Sequence, residues 1–225
     1  MRSSAAIVVG PNERGGVSFP TLRCEPPLTA RPTAEGLHFI GTAAGPVGGD
    51  NLTLSLAVLP LAALTVRSVA AQLLYPGARR GPSRASVDVS VGAGASLRWL
   101  PEPMVAIDGA DHRVTTVIDL APDASLVWRE VVVLGRHDEL SGSVSLRLRV
   151  ERGGRPLVCN ELRLGPAWPH SAGPAGVGSH RVIATTLVIG APAPWPAPMD
   201  GARIGVCELG SDAALITSLA DEVAS

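Results

Sequence analysis

One short phrase occurs twice in this chain, and it limits the possible folds more than any other feature. Residues 95–99 read Ala-Ser-Leu-Arg-Trp, and residues 124–128, 29 positions later, read Ala-Ser-Leu-Val-Trp. Each copy follows a small-residue turn and an extended-looking run, and a fainter third copy spans residues 52–66. A recurring unit of about 30 residues is typical of supersecondary elements that bury their apolar faces by stacking on one another.

Apolar and polar residues alternate with period two inside each copy, which favours strands over helices. Leu64, Leu97 and Leu126 occupy matching positions in the three copies. The tryptophans of the two clearer copies, Trp99 and Trp128, are most simply explained as a packed stack in a shared core. The sequence therefore predicts an all-β fold, with a β-helix or solenoid-like body of stacked, repeated strand pairs.

The flanking regions predict further strands and one helix. Residues 144–164 alternate around a Gly-Gly turn, which predicts a β-hairpin. Residues 68–75 fit either a short helical turn or an irregular strand, and residues 77–84 read as a basic loop. A short C-terminal helix is expected over residues 213–224, because Ser211 or Asp212 can cap it and its apolar residues fall on one helical face. Shorter strands are expected near residues 7–9, 22–25, 37–40, 181–189 and 204–209.

Length and charge narrow the class of protein. The chain has 225 residues, 46% of them apolar, and no low-complexity linker, so we expect one β domain over residues 1–225. A net charge of −1 provides no general field for nucleic acid or anionic lipid. No apolar run approaches the roughly 20 residues that a membrane-spanning helix needs. Three widely spaced cysteines do not form a disulfide framework, so a reducing cytoplasm is the expected location.

The sequence contains no recognisable catalytic or metal-binding motif. The five histidines show no spacing typical of a metal site, so no high-affinity metal site is predicted. A carboxylate pair for glycoside hydrolysis could be drawn from five acidic residues near the repeat turns, although turn-forming and solvating roles explain them as well. Aromatic residues make up only 3% of the chain, which disfavours a sugar-stacking surface. Those five acidic residues are Glu102, Asp108, Asp111, Asp138 and Glu139.

Four blocks, in order along roughly residues 22–165, carry a family resemblance. They are Gly-Pro-Val-Gly-Gly-Asp-Asn-Leu at 45–52, Leu-Arg-Trp-Leu-Pro-Glu-Pro at 97–103 followed by Asp-Gly-Ala at 108–110, Glu-Val-Val-Val-Leu-Gly-Arg at 130–136, and the hairpin at 146–164. Together they resemble the urease accessory protein UreD, called UreH in some species. The resemblance identifies these motif residues as structural: Gly48, Gly49, Trp99, Pro101, Gly109, Gly135 and Arg136.

The resemblance implies a urease maturation factor without catalytic activity of its own. Such a chain would be a scaffold or chaperone that docks on apo-urease and recruits UreF, and through UreF the GTPase UreG, for nickel insertion. It would bind no cofactor tightly and would contact Ni²⁺ only transiently. The alternative is a stand-alone β-solenoid that binds carbohydrate, or a lyase-type enzyme on such a scaffold.

Asp50 and Glu130 match acidic positions of the family and are the candidate residues of a nickel path. Passage of a metal ion requires weak, exchangeable oxygen ligands, because a cage of histidine and cysteine would trap the ion. The competing interpretation of each residue is a turn cap or an ion pair at the rim of the fold.

Overall fold

The computed structural model describes residues 1–77, 81–174, 176–190 and 202–222. It confirms the all-β prediction, with 61% strand, 2% helix and about four stacked coils of a β-solenoid. A 3-10 helix lies at Pro169–Ala172. The strands are β1 (Arg2–Pro11), β2 (Val17–Cys24), β3 (Leu28–Thr33), β4 (Gly36–Gly41), β5 (Asn51–Val58), β6 (Ala63–Ser68), β7 (Gln72–Leu74), β8 (Ser83–Val91), β9 (Ser96–Trp99), β10 (Met104–Ala106), β11 (Asp111–Leu120), β12 (Ser125–Leu134), β13 (Ser143–Arg152), β14 (Arg155–Leu164), β15 (Val182–Ile189), β16 (Arg203–Glu208) and β17 (Ala213–Ala220).

The described strands form two sheets, between which the chain passes back and forth. The seven-stranded sheet has the order β14-β13-β11-β8-β5-β1-β2. The ten-stranded sheet has the order β16-β17-β15-β12-β9-β6-β4-β3, and β7 and β10 join it beside β12. From β5 to β13, each passage through both sheets forms one coil, and successive coils pair in parallel. The predicted stacking of repeated strand pairs is therefore confirmed.

The repeated phrase sets the register between coils. Leu64 pairs with Leu97, and Leu97 pairs with Leu126, so the three matching leucines form one buried row. Trp99 pairs with Trp128, and their rings stack with centroids 4.6 Å apart and planes 8° apart. Trp128 is 2% exposed and Trp99 is half-buried. The predicted tryptophan stack is confirmed, and it closes one side of the space between the sheets.

Two hydrophobic clusters fill most of the space between the sheets. The first follows the leucine row and ends at Trp128, and the second surrounds β10, β13 and β14. Strict alternation along β5 and β11 directs every second side chain inward, where burial of one large aliphatic side chain contributes about 1.5–3 kcal/mol. Residues from both clusters reach the same cavity, described below.

The predicted C-terminal helix is wrong. Residues 213–220 form strand β17, which pairs with β15 on one side and β16 on the other; residues 223–225 lie outside the described residues. Leu215 and Leu219 share a face in a strand as well as in a helix, because a spacing of four residues satisfies both periods. Two neighbouring strands supply ladder hydrogen bonds here, and that tertiary pairing outweighs a weak local helix signal.

Several smaller expectations can also be compared with the structure. The hairpin is confirmed as β13 and β14, and the ambiguous residues 68–75 contain strand β7. Strand β3 was not expected, because prolines surround it; it lies at a sheet edge, where Pro32 removes no interior hydrogen bond. Of the expected basic loop at 77–84, residues 78–80 lie outside the described residues, and β8 begins at Ser83.

We expect Trp128→Ala to lower the free energy of unfolding by roughly 3–5 kcal/mol, because it leaves a void in the core and removes a stacked partner. Chemical denaturation followed by circular dichroism measures the loss. Leu140→Ala is the control, since Leu140 is 75% exposed, and it should change stability by less than about 0.5 kcal/mol. A Trp128→Ala variant as stable as this control would contradict the stacked-core account.

Candidate functional site

A cavity of about 400 Å³ lies between the inner faces of the two sheets. Its apolar walls come from Leu54, Val87 and Val114 on the seven-stranded sheet and from the tryptophan stack opposite. Its rim includes the exposed residues 43–44 and 69–71. Cavities with mostly apolar walls and a few polar groups are the usual form of a binding site.

Four polar groups interrupt these apolar walls. His112 and Thr116 occupy inward positions of β11, and Trp128 and Glu130 occupy inward positions of β12. Because side chains alternate along a strand, polar residues at these positions are directed into the interior as firmly as their apolar neighbours. The sequence thus builds a polar region into an otherwise hydrophobic space.

Glu130 carries the strongest electrostatic signal of the cavity. Its side chain is 9% exposed, and burial raises its pKa from 4.5 to about 7. The indole N–H of Trp128 lowers the pKa of Glu130 by a smaller amount. This N–H makes no hydrogen bond of normal distance and angle with any described residue. A carboxyl group with a pKa near neutrality exchanges its proton readily at physiological pH, as groups at functional sites often do.

His112 is held in its neutral form beside the cavity. It is 1% exposed, and burial lowers its pKa from 6.5 to about 4, against a smaller opposing effect of Asp111. The Ser83 hydroxyl lies 2.8 Å from Nδ1 and donates to the carbonyl oxygen of Asp111 at 3.3 Å. Both contacts are satisfied together when Nδ1–H donates to Ser83 Oγ, which leaves Nε2 as an acceptor.

Two buried polar atoms of the cavity lining have no hydrogen-bond partner among the described residues: Thr116 Oγ1 and Trp128 Nε1. An unpartnered buried polar group costs about 1–3 kcal/mol, so such groups are rare unless a water or ligand satisfies them. A hydroxyl, an indole N–H, a neutral imidazole and a titrating carboxyl thus surround one space. This set suits water and weakly held ions better than a covalent reaction.

Asp50 lies outside the cavity lining, beside the turn that forms part of its wall. Its carboxylate accepts a hydrogen bond from Val47 N at 2.9 Å and pairs with the Met1 amine at 2.5 Å. Gly45 and Pro46 of the same turn line the cavity. The structure therefore places Asp50 as a turn-stabilising residue and Glu130 as a cavity residue, and it does not bring the two together.

The predicted motif residues lie at turns and along the cavity. Gly48 passes so close to Gly77 that a Cβ on Gly48 would lie 2.6 Å from the Gly77 nitrogen. Gly135 has a φ of +76°, and a Cβ at this position would lie 2.7 Å from the Glu139 carbonyl oxygen. Arg136 donates to both carboxylate oxygens of Glu139, at 2.8 and 2.9 Å. Trp99 and Pro101 line the cavity, and Gly49 and Gly109 have positive φ at turns.

No sequence motif marks His112 or Thr116 as part of the site. The available signal was the inward parity of both residues on a strand whose other inward positions are apolar. Of the five acidic residues weighed for glycoside hydrolysis, Glu102 lines the cavity, whereas Asp111 and Glu139 are paired with arginines. In the described part of the chain, no three histidine, cysteine or acidic residues are grouped to hold a metal ion.

Comparison with known proteins decides the family. Residues 14–223 match the family described as UreD urease accessory protein. The chain belongs to the UreD family. It is 39% identical to the urease accessory protein UreD of Streptomyces avermitilis over 231 residues, which cover 99% of this chain and 92% of the relative.

Other UreD proteins align along nearly the whole chain. UreD 3 of Streptomyces griseus is 37% identical, with 98% of this chain and 90% of the relative covered. UreD of Parafrankia is 36% identical, with coverage of 99% and 84%. The family membership expected from the four blocks is therefore confirmed. No helix in the described part of this UreD-family chain is long and apolar enough to cross a membrane.

The two buried titratable groups should affect stability in opposite directions. Between pH 4.5 and 7, folded Glu130 keeps a proton that the unfolded chain has lost, so the free energy of unfolding falls as pH rises. Between pH 4 and 6.5, unfolded His112 binds a proton that the folded chain does not, so the free energy of unfolding rises with pH. Over pH 4.5–6.5 the two contributions largely cancel.

Removing either group should reveal the pH dependence of stability that the other contributes. Relative to the unchanged chain, we expect Glu130→Gln to add a rise of about 1.4 kcal/mol per pH unit across pH 4.5–7. His112→Asn should add a fall of similar size across pH 4–6.5. Urea unfolding at a series of pH values measures both slopes. Parallel stability curves for Glu130→Gln and the unchanged chain would show that Glu130 titrates normally.

Proposed function

We propose that this chain is a urease maturation factor that provides an internal route for Ni²⁺ to the urease active site. The names of its relatives support a role in urease maturation. The observation that carries the internal route is Glu130, a buried carboxyl group with a pKa of about 7 in the wall of a cavity between the sheets.

A divalent cation in an apolar cavity needs compensating charge, because its desolvation cost is high. Glu130 supplies that charge only when it releases its proton. An entering Ni²⁺ therefore exchanges with a proton, and the apparent affinity is lowered by the cost of that release. Such an exchange favours brief occupation over retention, as cargo transfer requires.

The remaining polar groups support transient binding. Thr116 Oγ1 and neutral His112 can complete the hydration shell of a passing ion without adding charge. Ni²⁺ is the cargo in this proposal, and the chain holds no cofactor tightly. The opening between residues 43–44 and 69–71 is the proposed access point.

The same proposal covers the partners and the location. The chain acts in the cytoplasm as a non-catalytic scaffold that docks on apo-urease and recruits UreF, and through UreF the GTPase UreG. Neither nucleic acid nor a membrane takes part. Asp50 serves this role indirectly, because its hydrogen bond to Val47 stabilises the turn at the cavity wall.

A carbohydrate-binding or lyase-type function is not favoured by any contact described above. Glycoside hydrolysis uses two carboxyl groups on either side of the scissile bond. Glu130 and Glu102 both line the cavity, but Glu102 lies at the rim, where its backbone N–H is bound by Ser68 Oγ. Trp99 and Trp128 both line the cavity, but their rings stack on each other, which occupies one face of each ring.

We expect Glu130→Gln to preserve folding and complex formation but to lower the nickel content of urease to less than about half, because the cavity then lacks its compensating charge. Nickel per urease is measured by atomic absorption on enzyme matured with each variant. Glu208→Gln on the exposed strand β16 is the matched control and should load normally. Asp50→Asn should mainly lower the melting temperature, as loss of a capping side chain does. Normal nickel content with Glu130→Gln would refute the route through this cavity.

A further inference from the structure

One row of side chains crosses the outer face of the seven-stranded sheet and is rich in arginine. Parallel and antiparallel registers place one residue per strand in this row, all on the face directed away from the cavity. In strand order from β1 to β14, the row is Arg2, Asn51, Arg84, Arg113, Ser145 and Arg163. Neighbouring strands lie about 4.8 Å apart, so the row resembles a ladder with a regular step.

Two of these arginines already hold carboxylates of the same chain. Arg113 donates to both oxygens of Asp111, at 3.3 and 3.1 Å. Arg163 donates to both oxygens of Glu161, at 2.9 and 3.0 Å. Each is the forked geometry that guanidinium groups favour with carboxylates. The arginines of this face therefore bind carboxylates where a carboxylate lies within reach.

The other two arginines have no such partner. Among the described residues, neither Arg2 nor Arg84 has a carboxylate within ion-pair distance, and both are exposed. They stand on either side of Asn51 at a hollow of about 530 Å³. The next row of the same hollow consists of the hydroxyl residues Ser4, Thr53 and Ser86, of which Thr53 and Ser86 can donate further hydrogen bonds.

One acidic residue borders the hollow and limits how a ligand can approach. Glu25 lies on the side of β2, and its Oε2 accepts hydrogen bonds from Ser4 N at 3.0 Å and Ser4 Oγ at 2.8 Å. Its negative charge repels an anion at that edge. An acidic ligand therefore lies along the row from Arg2 across Asn51 to Arg84, on the side of the hollow away from Ser4 and Glu25.

We infer that Arg2 and Arg84 form a docking site for two carboxylates of an acidic surface on a partner protein. The hollow is open and its row continues to the half-buried Arg113, beyond which Ser145 is buried; an open hollow of this kind suits a protein surface. A small free anion would instead favour an enclosed pocket with buried donors, and all six residues named in these two rows of the hollow are exposed. This inference concerns the outer face and does not depend on a metal route through the interior.

The ladder also sets the spacing of the partner's acidic groups. Arg2 and Arg84 are two strand steps apart, or about 10 Å. Residues seven positions apart on one face of an α-helix are separated by about 10.5 Å along its axis. A helix lying across the strands with acidic residues at positions i and i+7 therefore matches both arginines.

A labelled helical peptide tests the site without knowledge of the natural partner. The probe has about 20 residues, long enough to form a helix, with Glu at two positions seven residues apart; the reference peptide has Gln at both. Fluorescence anisotropy at low salt should show binding of the Glu peptide to the full chain and none of the Gln peptide. Arg84→Glu should weaken binding by at least about tenfold, since a charged hydrogen-bonded pair is lost.

Arg98→Glu is the matched control, because Arg98 is an exposed arginine on the ten-stranded sheet, and it should bind as the unchanged chain does. Arg84→Ala should weaken binding with little change in melting temperature, which separates a lost contact from a lost fold. Equal binding of the Glu and Gln peptides, or unchanged binding by Arg84→Glu, would overturn the inference. So would inorganic phosphate that binds more tightly than the Glu peptide and displaces it, because the hollow would then be a small-anion site.

Discussion

The in-register pairing of parallel strands between successive coils determines almost everything else in this structure. Each coil keeps the parity of the one before it, so a residue that faces inward in one coil has inward neighbours in the next. A slip of one residue would expose the leucine row in the ten-stranded sheet or bury the arginine row in the seven-stranded sheet, at a large cost in free energy. The leucine row and the stacked tryptophans fix this register, and the cavity and the arginine ladder are its two consequences on opposite faces.

The same register explains why a costly carboxyl group stays inside. Glu130 cannot turn outward without moving Trp128 and the leucine row, because all share the inward face of their strands. Burial raises its pKa to about 7, so the folded chain keeps the group close to the balance between its charged and neutral forms. Burial disfavours the charged form of His112 as well, and lowers its pKa to about 4. The resulting interior is largely apolar, with Glu130, His112 and Thr116 as polar groups in the cavity lining.

Much of the fold could be predicted from residues whose pattern has one structural meaning. The repeated phrase around Trp99 and Trp128 gave both the strand pairs and their stacking. The residues of β17 have no such unique pattern, because Leu215 and Leu219 satisfy helix and strand alike and the partner strands decide the outcome. The same holds for the site. Glu130 could be proposed from its motif, whereas His112 and Thr116 join it only because β11 and β12, in the two facing sheets, line the same cavity. Asp50 matches a motif too, but it lies outside the cavity lining, where it accepts a hydrogen bond from Val47 N and pairs with the Met1 amine.

Partial filling of the cavity between the sheets should block the passage of nickel that we propose. Val114 lines the cavity, whereas Val117 on the same strand is 38% exposed on the outer face. The same enlargement, Val to Phe, can therefore be made inside and outside the route. The measurement is nickel per urease after maturation with each folded variant. We expect low nickel with Val114→Phe and normal nickel with Val117→Phe; normal loading by a folded, complex-forming Val114→Phe would refute a route through the cavity.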